Sequence, residues 1–382
     1  MKTIIRFLSI AAIVGCLFAC GNADALRHQQ ANEKMQEIVN ELNAIGLSVA
    51  VVKDGKLVYA EGFGYQSLED SIPLSTCGIF RIASISKSFT ATAIMQLHEQ
   101  GKFDLDDDIG DALEMTIRNP NFPEIPITYR MLLTHTSSLN DSMGWFNFHT
   151  IDPILNENYW RAFNDYAPGT EYQYNNLGFN ILGALVEAHS GKRFDIYVDN
   201  NIMKPLGMTG SFNVDALDAS RFVTLYHFRD GKPVASQAYT SPAARLENYV
   251  LGRNAFIFSP TGGMKATPKD LAKHLLVQIN GGTYNGVQIL KPESVAAMQT
   301  PHRDDSNYGF GISTVTNLVE GVTLKGHTGS AYGLFSAMFF CPEEKFGIIM
   351  MTNGYPAERN ENNFMTIQAD IINALYDVFI GK

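Results

Sequence analysis

The strand-forming runs of this 382-residue chain lie at its two ends, and that arrangement limits the fold more than any other feature. Near the start, Leu47–Lys53 and Lys56–Ala60 are rich in valine and separated by Asp54-Gly55, a pair that suits a tight hairpin because both residues tolerate positive φ. Near the end, Tyr308–Val315, Val322–His327, Leu334–Cys341 and Phe346–Thr352 read as strands, with Pro342 to Lys345 turning between the last two. Apolar residues occupy both faces of the first run (Val49 and Val51; Ala50 and Val52), so its sheet needs cover on both sides. Helical spacing links Met35, Ile38, Val39, Leu42 and Ile45, and again Ile367, Ile371, Leu375 and Phe379. From about Ser84 to Val277 the pattern is helices and long loops. These observations predict one sheet assembled from both termini, in an α/β lobe over 29–83 and 278–382. A helical lobe is inserted over 84–277, and the cleft between lobes is the natural place for a site.

Hydrophobic residues at 45% and charged residues at 18% are enough for a sizeable core. The formal charge of −10 disfavours nucleic acid and offers no basic face to anionic lipid. Four cysteines cannot build a disulfide scaffold. Cys77 and Cys341 read by default as two buried free thiols, with a bridge between them left open. No HExxH, CxxC or HxH pattern occurs, which argues against a zinc hydrolase. The acidic run Asp104–Asp108 lacks calcium-loop spacing and reads as a solvated loop.

Residues 1–19 read as a signal peptide: Lys2 and Arg6 precede a short apolar run, Phe7–Phe18, that is too brief to span a bilayer. Ala19-Cys20 at its end resembles a bacterial lipoprotein signal, which implies lipidation of Cys20 and a tether over 20–28. Cys16 is a weaker candidate, and ordinary cleavage after Ala25 is the plain alternative. The expected location is the bacterial cell envelope, lipid-anchored or else periplasmic or secreted, with contact to membrane only through the anchor.

Three clusters carry chemistry. The first is Ser84-Ile85-Ser86-Lys87, at the start of a helix that runs to Gln100 and stops at Gly101. Three residues apart, Ser84 and Lys87 share a face, and the helix N-terminus favours a developing oxyanion. Alone the motif says little, since a chain of this composition holds about one S-x-x-K by chance, and Ser84 could be a simple N-cap. The second is Tyr174-Asn175-Asn176, between the Pro168-Gly169 turn and a helix ending at Gly191. A phenol beside a cationic lysine is expected to be partly acidified and able to shuttle protons. The third is His327-Thr328-Gly329-Ser330, whose small residues beside a strand permit close backbone approach by a ligand.

S-x-x-K, then Y-x-N, then His-Thr-Gly, in that order, resembles the serine β-lactamase and penicillin-binding-protein family, most closely its class C β-lactamase-related branch. Phe80–Phe89, Met131–Leu139, Pro205–Met208, Thr261–Met264 and Asn353-Gly354 also look like the family, so the resemblance runs from about Gln29 to the end. It implies an α/β plus all-α, two-lobe fold with an antiparallel sheet flanked by helices. It implies a Ser84 acyl-enzyme on an ester or amide of a small-molecule or peptide substrate, with no metal or organic cofactor. Lys87 would share the Ser84 proton. Tyr174 would be the general base and then protonate the leaving group. Asn176 would bind substrate and Lys87. The N–H groups of Ser84 and Ser330 would form the oxyanion hole, with His327, Thr328 and Gly329 on the strand lining the cleft.

Histidine at 327 is a departure. β-Lactamases and cell-wall carboxypeptidases of the family usually carry lysine there, and a histidine that titrates near neutrality supplies less charge for a substrate carboxylate. The His form looks more like the esterase and D-aminopeptidase branches. A D-Ala-D-Ala carboxypeptidase or β-lactamase, and a non-catalytic cell-wall or ligand-binding protein, are the alternatives. His135 reads as a hydrogen-bonded structural residue, and Trp145, Phe146, Phe148 and Trp160 as core or pocket lining in the helical lobe.

Overall fold

A computed structural model describes residues 23–381; the signal segment and Cys20 lie outside the described residues. The first helix, α1, covers residues 23–41. β1 (Gly46–Lys53) and β2 (Lys56–Ser67) form the hairpin around Asp54-Gly55, which takes φ 50° and 77°. With β3 (Ile72–Pro73), β4 (Ser313–Val315), β5 (Leu324–Ala331), β6 (Leu334–Cys341) and β7 (Phe346–Thr352) they make a seven-stranded sheet in the order β4-β5-β6-β7-β1-β2-β3. Every pairing is antiparallel, and β1 is joined to β7 in the register Val49 to Met350. The two chain ends therefore close into one sheet at its centre.

Both faces of that sheet are covered, as the double-sided apolar pattern requires. Leu47, Val49 and Val51 point into one core, with Met35 of α1 and Ile367, Ile371 and Leu375 of the C-terminal helix. Ala50 and Val52 point into the other core, with Leu271 and Leu275 of Pro268–Ile279. Pro268–Ile279 has Thr267 as its N-cap, accepting from the Asp270 N–H. It packs on β1, β6 and β7, so it goes with the sheet rather than with a helical lobe ending at 277. Its periodicity marks a helix but does not say which partner its apolar stripe meets.

Three other expectations change. Residues 23–28, read as part of a tether, already belong to α1, and the His28 ring sits against Tyr59. The run Tyr308–Val315 is strand only over Ser313–Val315, because Gly311 turns at φ 71° and folds Tyr308 back to pair with Ser313. Cys77 and Cys341 are free, but only Cys341 is buried; Cys77 is exposed. The acidic run is held by arginines, with Asp106 accepting from Arg130 at 2.7 and 2.8 Å and Asp108 paired to Arg118.

The middle of the chain supplies α2 (Ser86–Glu99) and α3 (Asn176–Ser190), which pack on each other. Every α2 residue from Ser86 to Met95 is buried, because sheet-side and helical-side elements enclose it. α3 ends at Gly191, in the left-handed conformation at φ 64°.

Candidate active site

Ser84 sits in a single tight turn, Ala83–Ile85, that leads into α2. Ala83 before it takes φ 49°, a left-handed conformation that costs a non-glycine residue about 1–2 kcal/mol. The turn is clipped in place from one side. Ile82 donates its N–H to Met264 O at 2.9 Å, and Ser86 Oγ accepts from the Met264 N–H at 3.0 Å. From the other side β5 runs against it. A Cβ on Gly329 would stand 2.5 Å from Ile82 O and 2.3 Å from Ser336 Oγ, so only glycine lets β5 come this close.

Lys87, one turn along, is wholly buried. Its Nζ lies 3.3 Å from Ser84 Oγ and donates to Asn176 Oδ1 at 2.9 Å and Thr261 O at 3.1 Å. Burial lowers its pKa to about 7, with the Asp141 carboxylate acting in the opposite sense. Tyr174 OH donates to Ser84 Oγ at 2.9 Å. The loop that carries it is pinned by Gln173 N–H to His135 O at 2.8 Å and Gly169 N–H to Thr136 O at 2.7 Å. Ser84 Oγ is thus the meeting point of an amine and a phenol.

The expected acidified phenol is reversed. Burial raises the Tyr174 pKa, so the phenol keeps its proton, and Lys87 is the group brought near neutrality. The ordering follows from solvation. With the ammonium itself desolvated, Lys87 loses the fixed positive charge that was to acidify its neighbour.

Asn176 opens α3, and its amide orientation is set by its partners. Oδ1 accepts from Lys87 and from Thr261 Oγ1 at 2.8 Å, while Nδ2 donates to Asp141 Oδ2 at 2.9 Å. Asp141 also accepts from the backbone N–H groups of Asn176 and Leu177 at 2.8–3.0 Å. It satisfies the free N–H groups of the helix start and its negative charge favours that end of the dipole. No sequence motif marked Asp141; it lies in a polar loop 35 residues before Asn176.

His327 is buried beside the pair, its ring centroid 6.0 Å from that of Tyr174. Nδ1 lies 2.5 Å from Thr328 O and therefore carries the proton; Nε2 then accepts from Tyr308 OH at 3.0 Å. Burial first, then Lys87, lower its pKa to about 4. At neutral pH it carries no charge, which corrects the expectation of a group titrating near 7. Tyr308, missed in the sequence, fixes this ring and touches Tyr174 edge-on at 6.3 Å. His135 is buried against Tyr174 at 4.4 Å, with Nδ1 accepting from the Asn175 N–H at 3.4 Å.

Beyond His327, β5 carries Thr328 half-buried, Gly329 buried and Ser330 exposed along the cleft. Of the four aromatics noted in the helical lobe, Phe148 is core, Trp145 is partly buried, and Phe146 and Trp160 are exposed. The structure brings Ser84, Lys87, Tyr174 and Asn176 into one hydrogen-bonded cluster, with His327 at its edge. Such a cluster can move a proton off a hydroxyl and hold it nearby, the requirement for nucleophilic attack by serine.

Known proteins share this arrangement of chain. The "Penicillin-binding protein 4*" of Bacillus subtilis (strain 168) is 26% identical over 332 residues, covering 83% of this chain and 70% of that protein. "Protein flp" of Staphylococcus aureus (strain N315) is 23% identical, covering 85% of this chain; the chain spans 63% of that protein's length. Among solved structures, an octameric penicillin-binding protein homologue from Pyrococcus abyssi superposes with a TM-score of 0.72 at 26% identity, covering 93% of this chain and 77% of that one. The D-amino acid amidase from Ochrobactrum anthropi SV3, complexed with L-phenylalanine, does so with a TM-score of 0.70 at 21% identity, covering 91% and 98%, a likeness of fold. The family model described as Beta-lactamase matches residues 31–369, and the chain belongs to that family.

Proposed function

We propose that the protein is a serine hydrolase that cleaves an ester or amide through an acyl-enzyme on Ser84. One observation carries this reading: Ser84 Oγ lies within 3.3 Å of both Lys87 Nζ and Tyr174 OH, and Lys87 is lowered to about 7. In the proposed reaction Ser84 Oγ bonds to the substrate carbonyl carbon and its proton passes to neutral Lys87. Tyr174, which keeps its proton, gives it to the departing oxygen or nitrogen as the scissile bond breaks, and the phenolate left behind takes a proton back from the neighbouring Lys87 ammonium, leaving both groups as they began. Water then adds to the acyl carbon while its proton goes to Lys87. Ser84 leaves, taking that proton, and the acid product is free. The backbone N–H groups of Ser84 and Ser330 are proposed as oxyanion donors, each typically worth about 2.7–4 kcal/mol; the close approach of β5 to the Ala83–Ile85 turn supports this.

A neutral His327 disfavours the β-lactamase and carboxypeptidase reading, since it supplies no cation for a β-lactam carboxylate. The test is labelling with a fluorophosphonate probe beside a panel of p-nitrophenyl esters, D- and L-aminoacyl amides and nitrocefin. The expected result is Ser84-dependent labelling and turnover of an ester or amide, with nitrocefin slow. Equal labelling in Ser84→Ala, or no labelling at all, favours a binding protein instead. The envelope location through lipidated Cys20 belongs to the same proposal; Cys20→Ala is expected to release the protein from membrane fractions.

A further inference from the structure

A cavity of about 260 Å³, just under the roughly 300 Å³ at which small-molecule sites usually begin, is lined by residues close in sequence to the cluster. The segments that build the site also wall this cavity. Arg81 is three residues before Ser84, Ser259 two before Thr261, and Tyr332 two after Ser330. Phe212 and Phe256 give it apolar walls, and Arg245 stands at its exposed rim.

Its charge is unbalanced. Arg81 and Lys265 are directly opposite partners in the two-residue strand pair Phe80–Arg81 and Lys265–Ala266, where like charges destabilise the pairing. Among the described residues, the Arg81 guanidinium makes no hydrogen bond or salt bridge, and its buried Nε has no partner. Its compensation is the Tyr332 ring, 5.0 Å away. Lys265 Nζ, buried, donates to Phe212 O at 2.7 Å, leaving two N–H groups unused. Among the described residues, no carboxylate lines the cavity. The acids that act on Lys265 from outside it are engaged elsewhere: Asp195 with Arg193 at 2.7 Å and Asp215 with Ser241 Oγ at 2.7 Å. A buried lysine beside a half-buried arginine, without a counter-ion, is costly, and the pair fits a site whose ligand brings the negative charge.

We propose that this cavity receives a carboxylate of the substrate, held between Arg81 and Lys265 with its methylene chain against Phe212 and Phe256, while the scissile carbonyl sits at Ser84. The proposal rests on the hydrolase reading for its chemistry, but the anion site can be measured without turnover. It also moves substrate-charge recognition from His327 to the Arg81–Lys265 strand pair. Burial first and then the neighbouring Arg81 lower the Lys265 pKa, and a bound carboxylate would act in the opposite sense.

Kinetics and binding test this together. The rate comparison uses mono(4-nitrophenyl) glutarate against 4-nitrophenyl pentanoate for the acyl side, and 3-carboxyphenyl acetate against phenyl acetate for the leaving-group side. One of the two pairs is expected to favour the carboxylate about tenfold or more in kcat/KM, the worth of one charge-assisted hydrogen bond. That ratio is expected to collapse in Lys265→Met and Arg81→Gln. Sodium glutarate is expected to raise the melting temperature of wild type more than that of Lys265→Met, by mass action on the folded state. A wild type that turns over both neutral esters as well as their carboxylate partners, and is not stabilised by glutarate, overturns the proposal whatever the variants do, and leaves the hydrolase reading intact. Stabilisation by glutarate with no ester turned over sustains the anion site and defeats the hydrolase reading.

Discussion

Lys87 Nζ lies 4.7 Å from the centroid of the Tyr174 ring, and the two side chains meet at Ser84 Oγ with their proton affinities moved in opposite directions. Burial drives both movements: it lowers Lys87 from 10.5 to about 7 and lifts Tyr174 above its ordinary 10. A base must be deprotonated to act, so kcat/KM for an ester is expected to rise through pH 7 and level off above it. A phenolate base would instead keep the rate climbing past pH 10. The pH profile of kcat/KM for the free enzyme separates the two assignments. Lys87→Met is expected to lose about 10²–10⁴-fold in kcat, and Tyr174→Phe a similar factor with little change in KM, because each removes a proton-transfer step.

Asp141 offers a quieter test. Its carboxylate holds the first N–H groups of α3 and the Asn176 amide, and it raises the Lys87 pKa through space. Asp141→Ala should cost about 1–2 kcal/mol in denaturant melts, the usual worth of a helix-start partner. Asp141→Asn removes the charge at nearly constant shape. Its distinctive result is a rate profile whose rising limb moves to lower pH, since the ammonium of Lys87 has lost an anion. A purely structural role for Asp141 would lower kcat without moving that limb.

Much of this was legible in the chain. Asp54-Gly55 gave away the first hairpin, and the bounds of Leu334–Cys341 and Phe346–Thr352 matched the runs read from side-chain type, because buried strands need unbroken apolar stretches. Ser84, Lys87 and Tyr174 were visible as helix-start and turn residues. Asp141 was not, since it lies in a loop with no periodicity of its own; Tyr308 and Thr261 fell in stretches that were noted, but nothing in those stretches said that a phenol and a carbonyl would meet His327 and Lys87. Charge states were equally hidden. Whether Lys87, Tyr174 and His327 titrate near 7, above 10 or near 4 depends on desolvation by the other lobe, and no spacing in one segment reports that.

Gly329→Ala examines how the nucleophile turn is held. The new methyl group would lie 2.5 Å from Ile82 O, a backbone atom that cannot swing away, and 2.3 Å from Ser336 Oγ, which itself donates to Ile82 O at 3.1 Å. Overpacking of this kind typically costs about 1–3 kcal/mol. Because the strain falls between β5 and the turn carrying Ser84, activity is expected to fall further than stability alone accounts for. Fluorophosphonate labelling rate, measured well below the melting temperature, reads the difference; unchanged labelling in a folded variant would show that β5 can shift without moving Ser84.

Three histidines are buried in their neutral form. His327 is lowered to about 4 and His274 to about 3, and His135 also lies well below its ordinary 6.5, desolvation being the largest cause for each. Unfolding returns them to water, where they bind protons below about 6.5. The unfolded chain then holds more protons than the folded one, so stability rises with pH across this window and is lost as pH falls from 6.5 toward 4. Each histidine contributes about 1.4 kcal/mol per pH unit once its unfolded form is protonated. Urea midpoints measured between pH 4.5 and 6.5 are expected to climb steeply with pH. His274 gives the internal control. It stacks on Phe89 at 3.9 Å and meets Ser88 Oγ at 3.0 Å, away from Ser84. Since Ser88 Oγ already donates to Ile85 O, His274 Nε2–H is the donor to Ser88, and Nδ1 is left buried without a partner. His274→Leu removes one of these protons, and the slope of stability against pH should drop by up to about 1.4 kcal/mol per pH unit, one histidine's share; a slope unchanged by that substitution would mean the ring is already charged in the folded protein.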